Sequence, residues 1–363
     1  MGMRNQTLRC KFILKFLSFS SFCIYLCGCQ LGYIAESAYS QAELLRKRVP
    51  ISEALSDLHL TEEQKRKLRL AEEAHHFAET DLNLAVTQNY TTFVQLDGPY
   101  VTYVVSAAPK DELKPYLWKY PIIGAMPYKG YFKPEGTKET VAELKAQNLD
   151  VYMRGVSAYS TLGWFKDPIL SSMLNYRDFD LVNTIIHETL HATIFFKSSS
   201  DFNESLANFV GEQGAVLFYQ RKEGPNSPTA KAIVSDRHDE MLFSEFISKE
   251  LDDLEAWYAT QKEKSSNVIP ETVRIARIHE IQQRFAIQVR PKLELKDSYK
   301  SFESREQNNA SLLTYRLYYK DMGDFDLVMT KLGHNFHKFL DYCRALKDAD
   351  DPKAKLRDFA HQP

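Results

Sequence analysis

Hydrophobic positions recur with a period of about 3.6 over most of this chain, and strict alternation is confined to a few short runs. The clearest helical stretch surrounds Thr184–His191. Leu181, Val182, Ile185, Ile186, Thr189, Leu190 and Thr193 fill one side of it at helical spacing, and His187 and His191 fall on the opposite side. Helical patterns also cover Gln30 to Arg48, Ile51 to Leu84, Pro134 to Gln147, Phe202 to Arg221, Pro228 to Lys264, Pro270 to Gln288, and a final pair from Asn308 to Ala345. Thr61-Glu62-Glu63 opens one of these in the manner of a capping box. Alternating, β-branched runs at Tyr100–Val105, Leu117–Ile123 and Asp150–Val156 predict strands, with Pro109, Pro115, Pro121 and Pro127 as breaks between elements. The pattern predicts a mostly helical α+β fold: a small β-sheet packed on one central helix, with helical N- and C-terminal regions.

Composition adds a class and removes another. The 363 residues are 44% hydrophobic and 26% charged, which suits a globular enzyme, and the net charge of −2 gives no footprint for nucleic acid. The first residues read differently from the rest. Arg4, Arg9, Lys11 and Lys15 precede an apolar run from Phe16 to Leu26, too short to span a bilayer and suited to a signal peptide. The run ends in Leu26-Cys27-Gly28-Cys29, which resembles the lipobox of bacterial lipoproteins, with Cys29 as the lipidated residue. Cys10, Cys23 and Cys27 would leave with residues 1–28, and lipid would occupy Cys29. Cys343 would then be the lone free thiol, with no intramolecular disulfide available. The expected organisation is a signal peptide over 1–28, one domain over 29–348, and a charged, mobile tail over 349–363. Within the domain the sheet region occupies about 90–157, a central helix pair about 178–221 and the C-terminal helices about 228–346. The expected location is the cell envelope, with a lipid anchor in a membrane.

The histidine face carries the chemistry. His187 and His191, four residues apart, stand one turn above each other and can share one metal ion, and Glu188 between them is placed to act as general base on water. A third ligand follows at Glu204, 13 residues after His191, at the start of the next helix. Glu212 competes for that role, because a position eight residues on returns to roughly the same helix side. Asn208, one turn after Glu204, is a candidate partner for a ligand imidazole. The set implies one Zn²⁺ per chain and hydrolysis of a peptide substrate.

The segment Gly155-Val156-Ser157-Ala158-Tyr159-Ser160-Thr161-Leu162-Gly163-Trp164-Phe165-Lys166-Asp167-Pro168 resembles the one that precedes the zinc helix in the bacterial putative aminopeptidase family, often lipoproteins. Ala107-Ala108-Pro109, Tyr128-Lys129-Gly130-Tyr131-Phe132, Phe202-Asn203-Glu204-Ser205 and Asn308-Asn309-Ala310 resemble the same family, from about Gly32 to the C-terminal helices. The resemblance implies a zinc-dependent aminopeptidase of the gluzincin type with its HExxH motif complete. It says more about fold and metal than about substrate.

Several roles stay open. The strand through Gly155 to Tyr159 is the proposed edge on which substrate backbone adds, with Gly155 allowing close approach. Tyr159, Trp164 and Phe165 line a cleft or cover the sheet, and the Tyr159 phenol could donate to a developing oxyanion. Glu212 could hold a substrate's free amine. His75 and His76 read as a core or solvated pair. Tyr315, Tyr318, Tyr319, His334 and His337 are candidates for polarising a carbonyl. The charged helices after Pro228 read as solvated faces, or as an inserted helical hairpin or a lid over the active site. A catalytically silent zinc lipoprotein acting as a scaffold is the alternative reading, against which Glu188 stands, because a purely structural site needs only its ligands.

Overall fold

The computed structural model describes residues 32–120, 124–159, 166–197, 199–264, 269–295, 297–316 and 322–362. Cys29, Trp164, Phe165, Tyr318 and Tyr319 lie outside them. The chain starts with a helix over 32–46 (α1), then a short strand Val49–Pro50 (β1), the turn of helix Ile51–Ala54 (α2) and the long helix Glu62–Thr80 (α3). Thr61 caps α3 with a full capping box: its hydroxyl accepts from Gln64 N–H while the Gln64 side chain accepts from Thr61 N–H. Strands Thr92–Val94 (β2), Thr102–Ala108 (β3), Trp118–Tyr120 (β4), Gly124–Met126 (β5) and Lys129–Tyr131 (β6) follow, then helix Thr137–Ala146 (α4) and strands Asp150–Val156 (β7) and Ile169–Leu170 (β8). The rest is helical: Asp178–Thr193 (α5), Ser200–Glu223 (α6), Pro228–Lys264 (α7), Glu271–Gln288 (α8), Lys300–Ser304 (α9), Asn309–Arg316 (α10), Met322–Lys331 (α11), Phe336–Ala345 (α12) and Pro352–His361 (α13). No described helix is long and apolar enough to cross a membrane.

The strands make two three-stranded sheets, ordered β1-β2-β8 and β6-β3-β7, and the β4–β5 hairpin. In the larger sheet β7 runs antiparallel to β3 over its whole length, from Thr102 opposite Val156 to Ala108 opposite Asp150. β7 is an edge strand, as expected, and it ends at Val156 rather than continuing to Tyr159. Gly155 is required there for a local reason. A Cβ on it would lie 2.1 Å from the Tyr100 ring, so the close approach it permits is to an aromatic side chain of the same fold.

One large core gathers α3, α5, α6, β1-β2-β8 and the last helices, with Leu68, Ala71, Ile185, Ile186, Leu206, Val210, Phe325 and Phe339 fully buried. A second core joins α7, from Phe243 onward, to α8, α9 and α10 around Phe243, Phe285 and Phe302. At 37 residues, α7 is about 55 Å long and enters both cores, the first through Ala230 and Ile233 and the second through Phe243 to Tyr258. The charged helices after Pro228 are therefore not simply solvated faces. Their apolar positions close a core that a local reading of mixed charge does not reveal.

Asn308-Asn309-Ala310 fastens this helical lobe to the sheet. Fully buried Asn309 donates through Nδ2 to Pro109 O and Glu112 O, accepts from the Tyr258 hydroxyl, and donates its N–H to Asp150. Asp150 also receives Arg274 at 2.7 Å in a buried ion pair, and Asn308 donates to Val151 O. The stretch expected as a mobile tail carries a helix: Asp351 caps α13, Pro352 occupies its first turn, and Leu356 and Ala360 are buried in the main core. The charges on α13 fill its outer face only, which is what an amphipathic helix looks like when read without its partner.

Candidate metal centre

α5 presents His187 and His191 because its other face is fully used. Leu181, Val182, Ile185, Ile186 and Leu190 are buried at 1% exposure or less, and the histidine face is turned to Glu204 of α6. At its N-terminus Asp178 takes ion pairs from Arg66 (2.7 Å) and Lys67 (2.5 Å) of α3, and these hold its carboxyl down at about 2. Negative charge in the first turn also suits the helix dipole.

α6 lies close against α5 through two glycines. A Cβ at Gly211 would fall 2.2 Å from Asn183 Oδ1, 3.0 Å from Asn183 O and 3.1 Å from His187 Cβ. At Gly214 it would meet Ile186 at 2.9 Å. This tight seam brings Glu204 over the histidines. The two Nε2 atoms are 3.2 Å apart, Glu204 Oε2 is 3.6 Å from His187 and Glu204 Oε1 is 3.4 Å from His191. One donor atom from each of the three lies within 4.8 Å of the others. Asn203, buried beside Glu204, accepts from Phe196 N–H through Oδ1 and donates to Phe196 O through Nδ2, tying the start of α6 to the chain just after α5.

The electrostatics suit a cation. Burial, and then the neighbouring His187, push the His191 imidazole down to about 4, so it is uncharged at neutral pH and offers a lone pair. Hydrogen bonding to His187 draws the Glu204 carboxyl below its ordinary range. Two imidazoles and one carboxylate converging on a point is the ligand chemistry of zinc. Glu188 stands beside them, its Oε1 4.0 Å from His187 Nε2 and its side chain 16% exposed.

The other expected residues divide. Glu212 is not with the histidines. It is buried against Arg237 at 2.9 Å, and Arg237 also holds Asp326, so neither metal ligation nor capture of a substrate amine finds support in its geometry. Asn208 is solvent-exposed, and among the described residues no hydrogen bond joins it to a ligand imidazole. The Tyr159 hydroxyl donates to Gln41 of α1, and its ring packs edge-on against Phe132. Tyr315 packs edge-on into the second core against Phe243 and Phe302, and His334 and His337 are exposed near the end of the main core. His75 is buried near Glu79 and Thr87, with His76 exposed beside it.

Sequence reasoning missed Tyr90. This buried phenol has its ionisation opposed by burial first and then by the Glu188 and Asp167 carboxylates nearby. Its backbone sits at φ 59°, a strained choice for an aromatic residue, and its N–H donates to Asp167 O. No local signal marks it, since a tyrosine between Asn89 and Thr91 reads as loop. Gly211 and Gly214 did leave a signal: two glycines three apart inside a strong helix.

Comparison with curated proteins and with solved structures finds no match. A protein-family model does match, over residues 32–357, and that span includes every element of the site. The chain belongs to the family described as putative aminopeptidase.

Proposed function

We propose that the protein is a zinc-dependent peptidase of the aminopeptidase type, in which His187, His191 and Glu204 hold one Zn²⁺ and Glu188 is the general base. The observation that carries this reading is the convergence of the three donor atoms within 4.8 Å with Glu188 alongside. Bound there, zinc supplies Lewis acidity, acidifying water and polarising the scissile carbonyl. Glu188 takes the proton from the attacking water and returns it to the leaving amine. Its 16% exposure keeps bulk water from competing for that proton. Burial and the negative charge of Glu188 both oppose ionisation of the Tyr90 phenol, which stays neutral.

Export and anchoring belong to the same proposal. They are supported by the basic, then apolar leader and by Leu26-Cys27-Gly28-Cys29. We read Cys29 as the lipidated first residue of an envelope protein.

The test compares the wild type with Glu188→Gln for zinc content and for cleavage of a mixed peptide library. Both proteins should carry one zinc per chain, and the variant should lose roughly 10²–10⁴-fold in rate. Release of single N-terminal residues identifies an aminopeptidase, and internal fragments an endopeptidase. Absence of zinc overturns the metal reading. Zinc without cleavage by either protein transfers the assignment to a zinc-binding scaffold.

A further inference from the structure

Helix α6 brings Glu204 to the histidines, and two sides of that helix are held in different ways. Gly211 comes seven residues after Glu204, which returns to within about 20° of the same side of a helix. The glycine seam against α5 and the Glu204 carboxylate therefore share one face. The seam sets how near α6 comes to α5, but glycines offer no side chain that would resist a turn of α6 about its own axis. Glu212 and Phe209, three residues apart, form a ridge on the flank, about 80° and 140° round from Glu204.

That flank is gripped by one side chain of α7. The Arg237 guanidinium carbon lies 5.4 Å from the centre of the Phe209 ring. Its Nη1 donates to Glu212 Oε1 at 2.9 Å, and its Nη2 donates to Asp326 of α11. Phe209 in turn stacks on Phe325, the residue before Asp326, at 5.4 Å and packs on Phe339 at 5.0 Å. Arg237 stands on α7 between Ile233, buried in the main core, and Phe243, buried in the second, so its own position is fixed on both sides. The Arg237 and Glu212 side chains are 12% and 11% exposed, so the guanidinium is used inside the fold and is not offered to a ligand.

Small turns of α6 matter at the metal. A carboxylate about 6 Å from a helix axis moves roughly 1.5 Å when the helix turns by about 15°. Ligand groups need placing within about 0.5 Å. Without Arg237 the Glu212 carboxylate would be a buried charge with no counter-charge, relieved by turning toward solvent and taking α6 with it.

We propose that Arg237 is a positioning residue for the metal centre: by holding Glu212 and Phe209 it fixes the rotation of α6 and keeps Glu204 over the histidines. This rests on the reading of His187, His191 and Glu204 as a zinc site. The fork matters as well as the charge, because one planar guanidinium reaches carboxylates on two helices at once.

The protein, stripped of metal, is titrated with zinc against a chelating dye, and with cobalt, whose visible absorption reports the number and kind of its ligands. Arg237→Met should bind zinc roughly tenfold or more weakly, with an altered cobalt spectrum. Adding Glu212→Leu removes the stranded charge and should restore most of the affinity. Arg237→Lys keeps the charge without the fork and should weaken zinc binding roughly threefold, which carries the test if Arg237→Met does not fold. The matched control is Arg274→Lys, the same change in the buried pair with Asp150, which should lower stability and leave zinc affinity and the cobalt spectrum unchanged. Unchanged zinc affinity in both Arg237 variants overturns the positioning role while the zinc site stands, as does an equal loss in Arg274→Lys or a double variant that recovers nothing. A wild type that binds no zinc overturns the metal reading, and this role falls with it.

Discussion

Replacing a glycine by alanine inside a helix ordinarily stabilises it by about 0.5–1 kcal/mol. At Gly211 the opposite sign is expected. The nearest obstacle, Asn183 Oδ1, belongs to a side chain that can turn away, but Asn183 O at 3.0 Å and His187 Cβ at 3.1 Å belong to the frame of α5. Gly211→Ala should push α6 off α5 and cost about 1–3 kcal/mol in urea denaturation. Because Glu204 rides on α6, zinc affinity should fall roughly tenfold or more in the same protein, measured by competition with a chelating dye. Adding Asn183→Ala should recover only part of either loss. If Gly211→Ala is neutral or stabilising with zinc affinity intact, the seam does not position the ligands. Glu204 itself could be shortlisted from spacing, but this glycine seam decides whether it or Glu212 meets the histidines.

Between elements, the contact of α6 with α7 buries carboxyls that the sequence shows only as charge. Burial raises Glu212 to about 7 against the opposing pull of Arg237, and it raises Glu240 to about 7 with Asp236 and Glu212 adding to it. Arg177 and Asp180 of the α5 N-terminal turn and Asp326 of α11 complete the surroundings. The unfolded chain titrates near 4.3, so below that pH both states keep these protons and the contribution to stability is complete. Between about 4.3 and 7 the unfolded state releases protons that the folded state retains, and stability falls. Wild-type melting temperature should therefore decline across this window, and Glu212→Gln with Glu240→Gln should flatten the decline. Identical pH profiles for the two proteins would refute the buried-carboxyl account. Residue identity places both glutamates on helices, whereas their burial depends on a 37-residue helix crossing from one core to the other.

For the whole molecule, the main core is completed by its last helix. Leu356 and Ala360 are buried, and Phe359 stacks on Tyr342 at 4.6 Å. Ending the chain after Asp348 should uncover α11 and α12 and reduce stability by about 2–4 kcal/mol, read from urea denaturation. An unchanged midpoint would show the helix to be dispensable. What the sequence alone determined about this protein was local: the helical period that sorts His187 and His191 from their apolar neighbours, the strand at Asp150–Val156, and Glu188 between the two histidines. Each follows from a periodicity or spacing within one element, where the backbone geometry is known in advance. Tertiary structure alone decided the crossing of α5 and α6 that selects Glu204, the burial of Glu212 against Arg237, the placing of Tyr90 beside Glu188, the knot at Asn309 and the docking of α13. These depend on which surfaces meet across long stretches of chain, and packing volume rather than local period settles that.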